Sequence, residues 1–397
     1  MPADVPATRP SSCLTPRQIL EKLVSFPTVS CDSNLPLIDW VEGYLASHDI
    51  AAHRHPKPAE PDFKAALFAH VGPEARGGVV LSGHTDVVPV DGQDWTSDPF
   101  TLTERDGRLY GRGSTDMKGF DALAIWALVE AKHRGVTTPL QIALSYDEEI
   151  GCMGGRDLAR AMQGVIPKAK SVIVGEPTMM KAVTGHKGGV NFWVHVHGTS
   201  VHSSILHTGV SAIMYGADLI QWANRMNAEN AAKTPTGMQA LFDPPFTNVH
   251  VGVIKGGTAH NITASDCAFG MGFRVIPGES IEDWRARFME EVKALETRMQ
   301  AVSSEAWIEV SEMFELPPLV PVEDNAAEAL VRRVTGDNGV MQVSYGTEAS
   351  HFQAEGYDAV VCGPSDIDIA HKPDEYIEIS QLDAGEAFME RLLETLA

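Results

Sequence analysis

The sequence predicts an α/β protein in which a three-layer domain with a mostly parallel sheet contains an inserted, ferredoxin-like α+β domain. Two observations lead to this fold class. Apolar, strand-like runs at 63–71, 78–83, 139–146 and 171–175 alternate with helical patterns, which is typical of a mostly parallel sheet covered by helices. Between residues 184 and 314 the order becomes strand, helix, two strands, helix and strand, which is the ferredoxin-like plan.

The helices of the larger domain are predicted from apolar residues at helical spacing. The first begins at Thr15-Pro16, because proline is well tolerated in the first turn of a helix. The second covers residues 34–48, with Leu37, Val41 and Leu45 on one stripe. Further helices are predicted at 120–134, 155–162, 325–335 and 380–396, and a further strand at 358–362.

The inserted domain begins with a strand at 190–197, where polar and apolar residues alternate as in an antiparallel strand with one solvated face. The predicted domains are therefore 184–314 and a discontinuous one made of 1–183 and 315–397. The remaining elements of the insert are a helix at 210–227, strands at 248–254 and 266–275, a helix at 281–299 and a strand at 307–311.

The composition excludes several classes of function. The 397 residues carry a formal net charge of −22, and binding to nucleic acid or anionic membranes requires basic patches instead. No stretch approaches the roughly 20 apolar residues that a membrane helix needs. Residues 1–15 read as a frayed leader without the basic and apolar regions of a secretory signal. We therefore expect a cytoplasmic protein whose five cysteines are reduced.

Histidine and acidic residues follow the predicted strands where ligands bind in open α/β sheets. His84 and Asp86 come at the carboxyl end of strand 78–83, and Asp116 precedes the helix at 120–134. We expect His84 and Asp116 to hold a metal, with Asp86 orienting His84 from behind. The alternatives are a structural His–Asp pair and a helix-capping role for Asp116.

Acidic residues end two more strands, and a second histidine follows a third. Glu148 and Glu149 come after strand 139–146, Glu176 after 171–175, and His371 after 358–362. Consecutive acids at the end of a buried strand are unfavourable unless cations neutralise them, although a solvated acidic turn is the alternative. Two histidines and three carboxylates suit two zinc-like ions that share a carboxylate, which leaves Glu148 as general base.

Four motifs carry a resemblance to a known family. They are Gly-His-Thr-Asp-Val-Val-Pro at 83–89, Gly-Arg-Gly-Ser-Thr-Asp-Met-Lys-Gly at 111–119, Asp-Glu-Glu-Ile-Gly-Cys at 147–152 and Gly-Glu-Pro-Thr at 175–178. The sequence resembles the zinc metallopeptidase family that includes aminoacylases, succinyl-diaminopimelate desuccinylase and glutamate carboxypeptidases. Motifs at 30–35, 345–349 and 370–376 narrow the resemblance to members that deacetylate amino acids.

The resemblance implies a di-metal hydrolase of a small N-acyl amino acid, with two Zn²⁺ ions for which Co²⁺ or Mn²⁺ could substitute. Glu148 would be the catalytic base and Asp86 the partner of His84. A cis peptide would join Asp116 and Met117. One zinc would be held by His84, Asp116 and Glu176, and the other by Asp116, Glu149 and His371.

The insert resembles the family's lid and dimerisation domain, which implies a homodimer. His202 would then enter the partner subunit's site and stabilise the oxyanion, while Asn261 and Arg274 would hold the substrate carboxylate and carbonyl. Simple surface polarity is the alternative for Asn261 and Arg274. Further substrate contacts are expected from Gly346, Thr347 and Glu348, with Glu348 or Asp366 near a substrate amine. A dipeptidase, a carboxypeptidase, another deacylase and an inactive relative that only binds remain alternative functions.

Overall fold

The computed structural model describes residues 13–397, so most of the leader predicted at 1–15 lies outside the described residues. The chain forms two compact units. The first contains the described residues up to Thr184 together with Val322–Val340 and Thr347–Ala397, and the second contains Gly185–Pro321 and Met341–Gly346. The second unit thus extends past residue 314, where the sequence predicts that the insert ends.

The helices agree in number and place with those predicted, except for the short α8. They are α1 (Pro16–Val24), α2 (Leu35–Ala46), α3 (Lys118–Arg134), α4 (Met153–Ala161), α5 (Ala212–Ala231), α6 (Ile281–Gln300), α7 (Ala326–Thr335), α8 (Ala349–Ala354) and α9 (Ile379–Leu396).

The strands include every predicted one and several short ones of three to five residues. They are β1 (Ala52–Pro56), β2 (Ala65–Val71), β3 (Val79–His84), β4 (Thr103–Arg105), β5 (Arg108–Tyr110), β6 (Leu140–Ser145), β7 (Ser171–Pro177), β8 (Val183–His186), β9 (Gly188–His197), β10 (Asn248–Gly256), β11 (Asp266–Val275), β12 (Trp307–Leu316), β13 (Met341–Val343), β14 (Asp358–Gly363) and β15 (Tyr376–Glu378).

The central sheet of the first unit is mixed. Its strands follow the order β1-β2-β6-β3-β7-β14, and the four strands from β6 to β14 are mutually parallel. Beyond β14 the sheet continues with β8, which pairs antiparallel to it through Val183 and Val361. The outer pairs, β1 with β2 and β2 with β6, are antiparallel. Strands β3, β6 and β7 are buried along their whole length, as expected of strands covered on both faces. Their carboxyl ends therefore meet at one edge of the sheet.

Helix α3 lies at the centre of the hydrophobic core. Every residue from Lys118 to Ala131 is buried, so the helix is apolar around most of its circumference. It packs against α1, α9 and β3, and their side chains share one hydrophobic cluster. On the remaining layer, α4 and α8 pack against each other and against β6 and β14. This packing fixes the position of the amino-terminal end of α3.

The second unit has the predicted ferredoxin-like architecture. Its four-stranded antiparallel sheet has the order β10-β11-β9-β12. Alternate residues of β9, from Val190 to Val196, are buried beneath α5 and α6. Phe273 of β11 packs its ring against those of Trp222 and Phe288, which joins both helices to the sheet. The other sheet face carries the polar residues of β9, as the alternating sequence predicts.

In the part of the chain that the structure describes, no helix combines the length and the apolar character needed to cross a membrane.

Candidate metal centre

The carboxyl ends of three neighbouring parallel strands bring the predicted residues together. His84 is the last residue of β3, Glu176 lies near the end of β7, and Glu148 and Glu149 follow β6. His84 Nε2 lies 3.7 Å from Glu176 Oε1 and 3.9 Å from Glu148 Oε2. Parallel pairing of β3 with both neighbours fixes this arrangement, since all three chains leave the sheet at the same edge.

Asp116 lies between the two histidines. One carboxylate oxygen, Oδ1, is 3.0 Å from His84 Nε2, and the other, Oδ2, is 3.0 Å from His371 Nε2. Asp116 precedes the buried helix α3, and its peptide bond to Met117 is cis, as the resemblance implies. A carboxylate with an imidazole on each oxygen has the arrangement needed to bridge two cations.

His371 closes the group from the loop that follows β14. Its backbone has a positive φ of 63°, and its Nε2 atom lies 3.0 Å from Glu149 Oε2 as well as beside Asp116. The side chain is half exposed, whereas His84 is fully buried. We call the six residues the acid–imidazole cluster: His84, Asp116, Glu148, Glu149, Glu176 and His371.

The electrostatics of the cluster require positive charge. Burial and the charge of Glu149 raise the pKa of Glu148 to about 8, and burial and the charge of Asp116 raise that of Glu149 to about 7. Burial also raises the pKa of Glu176 well above its usual value. Without cations, carboxylates packed this closely hold protons at neutral pH.

The histidines compensate only part of this charge. Although burial opposes it, hydrogen bonds from His371 and His84 keep the pKa of Asp116 below its usual value. The bonds to Asp116 and Glu149 in turn raise the pKa of His371 to about 10. Glu149 Oε1 and Glu176 Oε1 remain buried without a hydrogen-bond partner. The donors form two overlapping groups, His84 with Asp116 and Glu149 and His84 with Glu148 and Glu176, and the ligand atoms of each group lie within 4.8 Å of one another. Nitrogen and oxygen donors of this kind fit divalent cations of the zinc type.

Asp86 differs from the prediction in the atom that it offers to His84. The main-chain carbonyl of Asp86 accepts the hydrogen bond from His84 Nδ1 at 2.8 Å, whereas the carboxylate Oδ1 lies 3.7 Å away. The carboxylate instead accepts from the main-chain N–H groups of Glu148 at 3.1 Å and Glu149 at 3.4 Å. It also accepts from Ser30 Oγ at 2.7 Å. Asp86 therefore fixes the orientation of His84 and the position of the two glutamates together.

Glu375 and Arg112, which the sequence did not predict as site residues, hold the main chain at Asp116 in place. Glu375 Oε1 accepts hydrogen bonds from the main-chain N–H groups of Thr115 at 2.9 Å and Asp116 at 3.1 Å. Its other oxygen lies 2.6 Å from Arg112 Nη1, and both side chains are 1% exposed. Glu375 was part of the motif at 370–376, but its pairing with a residue 263 positions away leaves no local signal.

A second missed group holds the turn that carries Glu148 and Glu149. Asp147 is fully buried in the left-handed conformation, with φ of 58°. Its Oδ1 atom pairs with Lys64, which also donates to the main-chain oxygen of Ser30. Its Oδ2 atom lies 2.8 Å from Lys57 Nζ. Because Ser30 also contacts Asp86, the two sets of hydrogen bonds form a continuous network behind the glutamates.

Three of the four predicted contacts in the second unit lie at exposed positions, and the fourth, Gly346, is half-buried. His202 Nδ1 lies 2.7 Å from Ser204 Oγ. The main-chain oxygen of Asn261 accepts from Ser203 N at 2.9 Å, which holds the two loops together. Arg274 is an exposed residue of β11, and Gly346 is half-buried. None of these four residues belongs to the acid–imidazole cluster.

Thr347 and Glu348 are fully buried in the first unit, unlike typical substrate contacts. Glu348 Oε1 accepts a hydrogen bond from Ser82 Oγ of β3 at 2.8 Å, and burial raises the pKa of Glu348. The carboxylate therefore joins the start of α8 to the central sheet. Asp366, by contrast, is exposed, and its carboxylate accepts from Asp368 N at 3.0 Å.

Comparison with known proteins identifies the family. Residues 80–395 match peptidase family M20/M25/M40. The chain belongs to this family. An acetylornithine deacetylase of Myxococcus xanthus is 34% identical over 390 residues, which cover 94% of this chain and 96% of that protein. An acetylornithine deacetylase of Proteus mirabilis (strain HI4320) is 33% identical over 95% of each chain.

Solved structures share the fold of the whole chain. An M20-family metallo-carboxypeptidase from Sulfolobus solfataricus matches with a TM-score of 0.75 at 17% identity, over 96% of this chain and 98% of its own. Human carnosine dipeptidase 1 matches with a TM-score of 0.72 at 16% identity, over 95% and 96%. The family resemblance of the sequence motifs is thus confirmed, and the chain is a metal-dependent amide hydrolase.

The raised pKa values predict a pH-dependent stability of the metal-free protein. Glu148 and Glu149 have an ordinary pKa near 4.5, so between that value and about 8 the folded state binds more protons than the unfolded state. The stability of chelator-treated protein should therefore fall as the pH rises through this window. Thermal unfolding at several pH values measures it. Zinc-loaded protein should show a flatter dependence, and identical curves for the two forms would contradict the electrostatic account.

The lysine network predicts that Lys64 contributes strongly to stability. Lys64→Met leaves the fully buried Asp147 carboxylate with one partner, and losing one member of a buried ion pair costs about 3–5 kcal/mol. Lys57→Met is the matched control, because Lys57 is more exposed and Lys64 remains paired. Chemical denaturation of both variants measures the difference. Equal losses in the two variants would show that Lys64 has no special role.

Proposed function

We propose that this protein hydrolyses N²-acetyl-L-ornithine to L-ornithine and acetate, a step of arginine biosynthesis in the cytoplasm, with the help of two zinc ions. The observation that carries the proposal is the convergence of the acid–imidazole cluster at one edge of the sheet. Full-length relatives at 30–34% identity that bear the name acetylornithine deacetylase support the substrate.

The residues would divide between two metal positions, with Asp116 common to both. His84 and Glu176 would complete one position, and Glu149 and His371 the other. When bound, such ions would polarise the amide carbonyl and lower the pKa of water. Zinc suits two imidazoles and three carboxylates, and cobalt or manganese could substitute, since ligand type alone does not separate them.

Glu148 would act as general base and then as general acid. It is the most exposed carboxylate of the cluster, with 11% of the side chain accessible against 5–6% for the other three. Cys152 Sγ lies 3.0 Å from its Oε1 atom and restrains the side chain. Glu148 would take a proton from the attacking water as the oxygen bonds to the acetyl carbon. It would then deliver the proton to the amine nitrogen as the C–N bond breaks.

Asp86 would be essential without touching the substrate. Its carbonyl fixes the proton of His84 on Nδ1, which leaves the Nε2 lone pair directed at the cluster. Its carboxylate holds the main-chain N–H groups of Glu148 and Glu149, so the base and its neighbour keep a constant separation. One residue would thus set the geometry of three members of the cluster.

Polar residues outside the acid–imidazole cluster would contact the substrate. His202, from the partner subunit of a homodimer, would donate to the oxyanion as it forms. Asn261 and Arg274 would bind the substrate carboxylate and carbonyl, and Gly346 is a further candidate contact, whereas the fully buried Thr347 is not accessible to a substrate. The exposed Asp366 is a better partner for the ornithine amine than the fully buried Glu348, because a cation can reach an exposed carboxylate without opening the core.

The second unit offers surfaces that suit a dimer. Strand β10 is at one edge of its sheet, and Val253 and Ile254 on it are about half exposed. Ile213 and Met214, at the start of α5, are exposed as well. An exposed edge strand with apolar residues is a ready site for pairing with a second chain.

A substrate panel tests the proposed function. We expect purified protein with Zn²⁺ to hydrolyse N-acetyl-L-ornithine with a higher kcat/KM than N-acetyl-L-methionine, N-acetyl-L-glutamate or a simple dipeptide. Chelator should abolish turnover and added Zn²⁺ should restore it. Preference for a dipeptide or another N-acyl amino acid would replace the substrate assignment, and metal binding without any turnover would favour a binding protein.

The role of Glu148 is tested separately. Glu148→Gln should retain the bound metal but lose about 10²–10⁴ in kcat or more, since the amide cannot accept the proton. Glu323→Gln, on an exposed loop, is the matched control and should be unaffected. Metal analysis and steady-state kinetics on both variants give the answer. Turnover near that of the wild type in Glu148→Gln would eliminate Glu148 as the base.

A further inference from the structure

A second group of metal-type donors lies in the first unit, outside the acid–imidazole cluster. It consists of Cys13, His48 and His133. His48 Nδ1 is 3.2 Å from His133 Nε2, and Cys13 Sγ is 3.6 Å from the same nitrogen. All three donor atoms lie within 4.8 Å of one another. A thiol and two imidazoles are the donor types that zinc prefers in proteins.

This group is remote from the acid–imidazole cluster. Asp116 precedes the first residue of α3, whereas His133 lies in its last turn. A helix of 17 residues is about 25 Å long, because each residue adds about 1.5 Å. The two groups therefore lie near opposite ends of the same buried helix, and neither can share an ion with the other.

The two distances from His133 Nε2 to the other donors match edges of a tetrahedral zinc site. With Zn–N near 2.05 Å and Zn–S near 2.3 Å, tetrahedral angles place two nitrogens about 3.3 Å apart and a nitrogen and a sulfur about 3.6 Å apart. The observed separations are 3.2 Å and 3.6 Å. A simple hydrogen bond between the two imidazoles would explain the distance between their nitrogens. It would not explain why the Cys13 thiol lies 3.6 Å from the same nitrogen of His133.

The surrounding charges favour a cation. His48 lies two residues beyond the end of α2, and His133 lies within the last turn of α3. The carboxyl ends of helices carry partial negative charge. Burial and the neighbouring His133 lower the pKa of His48, which favours the neutral imidazole.

Cys13 is held in place by the residues that follow it. The main-chain N–H of Leu14 donates to the hydroxyl of Tyr44 at 3.1 Å. Thr15 forms a capping box with Gln18 at the start of α1. The ring of Tyr44 also packs edge-on against that of His48. Tyr44 therefore contacts both the residue after Cys13 and the buried imidazole of His48, which reduces the ordering needed to bind a metal.

We propose that Cys13, His48 and His133 bind one transition-metal ion of the zinc type, separately from the ions of the acid–imidazole cluster. The exposed His133 leaves the fourth position open to water. The ion ties the segment before α1 to the ends of α2 and α3. A thiolate with two imidazoles selects zinc or cobalt over magnesium and calcium.

Cobalt spectroscopy on the full chain tests this site. A thiolate bound to Co²⁺ gives a charge-transfer band in the near ultraviolet, which imidazole and carboxylate ligands do not give. Co²⁺-loaded wild type should show this band. We expect the band to disappear in Cys13→Ala and in His133→Ala, which changes an exposed ligand. The control variant Cys31→Ala, which removes an exposed thiol elsewhere, should keep the band.

Zinc stoichiometry gives a second readout. Equilibrium dialysis should show one Zn²⁺ fewer per chain in Cys13→Ala than in wild type, with unchanged turnover because the cluster is remote. Absence of the band from the wild type would overturn the proposal. So would a band that persists in Cys13→Ala but disappears in Cys152→Ser, since Cys152 lies beside Glu148. Equal zinc content in wild type and Cys13→Ala would overturn it as well.

Discussion

Repulsion among buried carboxylates is the constraint on which the rest of the site depends. Asp116, Glu148, Glu149 and Glu176 converge at the edge of one sheet, where water cannot solvate them fully. Desolvation and mutual repulsion raise three of their pKa values, and only Asp116 is kept ionised by two imidazoles. Such a group is stable in its ionised form only when cations occupy its centre, so metal binding and the ionisation of the site are one equilibrium.

The fold maintains this unfavourable arrangement through contacts that lie behind the cluster. The buried pair of Arg112 and Glu375 holds the main-chain N–H groups of Thr115 and Asp116. The pairing of Lys64 with Asp147 anchors the turn that carries the two glutamates. Neither ion pair includes a carboxylate of the acid–imidazole cluster. The two ion pairs therefore fix the positions of the metal-binding residues without occupying the lone pairs that a metal needs.

The parts that the sequence predicts are those with a local signal. Strands β3, β6 and β7 are continuous apolar runs, and the acids and histidine at their ends follow directly. The sequence around His371 gives weaker local evidence for a metal ligand, so that prediction depends on the family resemblance. Glu375 and Lys64 were missed because their partners are 263 and 83 positions away, so no window of sequence contains the pair. The carbonyl of Asp86 was missed because a main-chain acceptor has no sequence signature.

Anomalous diffraction from crystals grown with Zn²⁺ tests the central claim most directly. The account predicts two zinc peaks in the acid–imidazole cluster, about 3.5–4 Å apart, with one oxygen of Asp116 directed at each. A single peak there, or two peaks that Asp116 does not bridge, would contradict it.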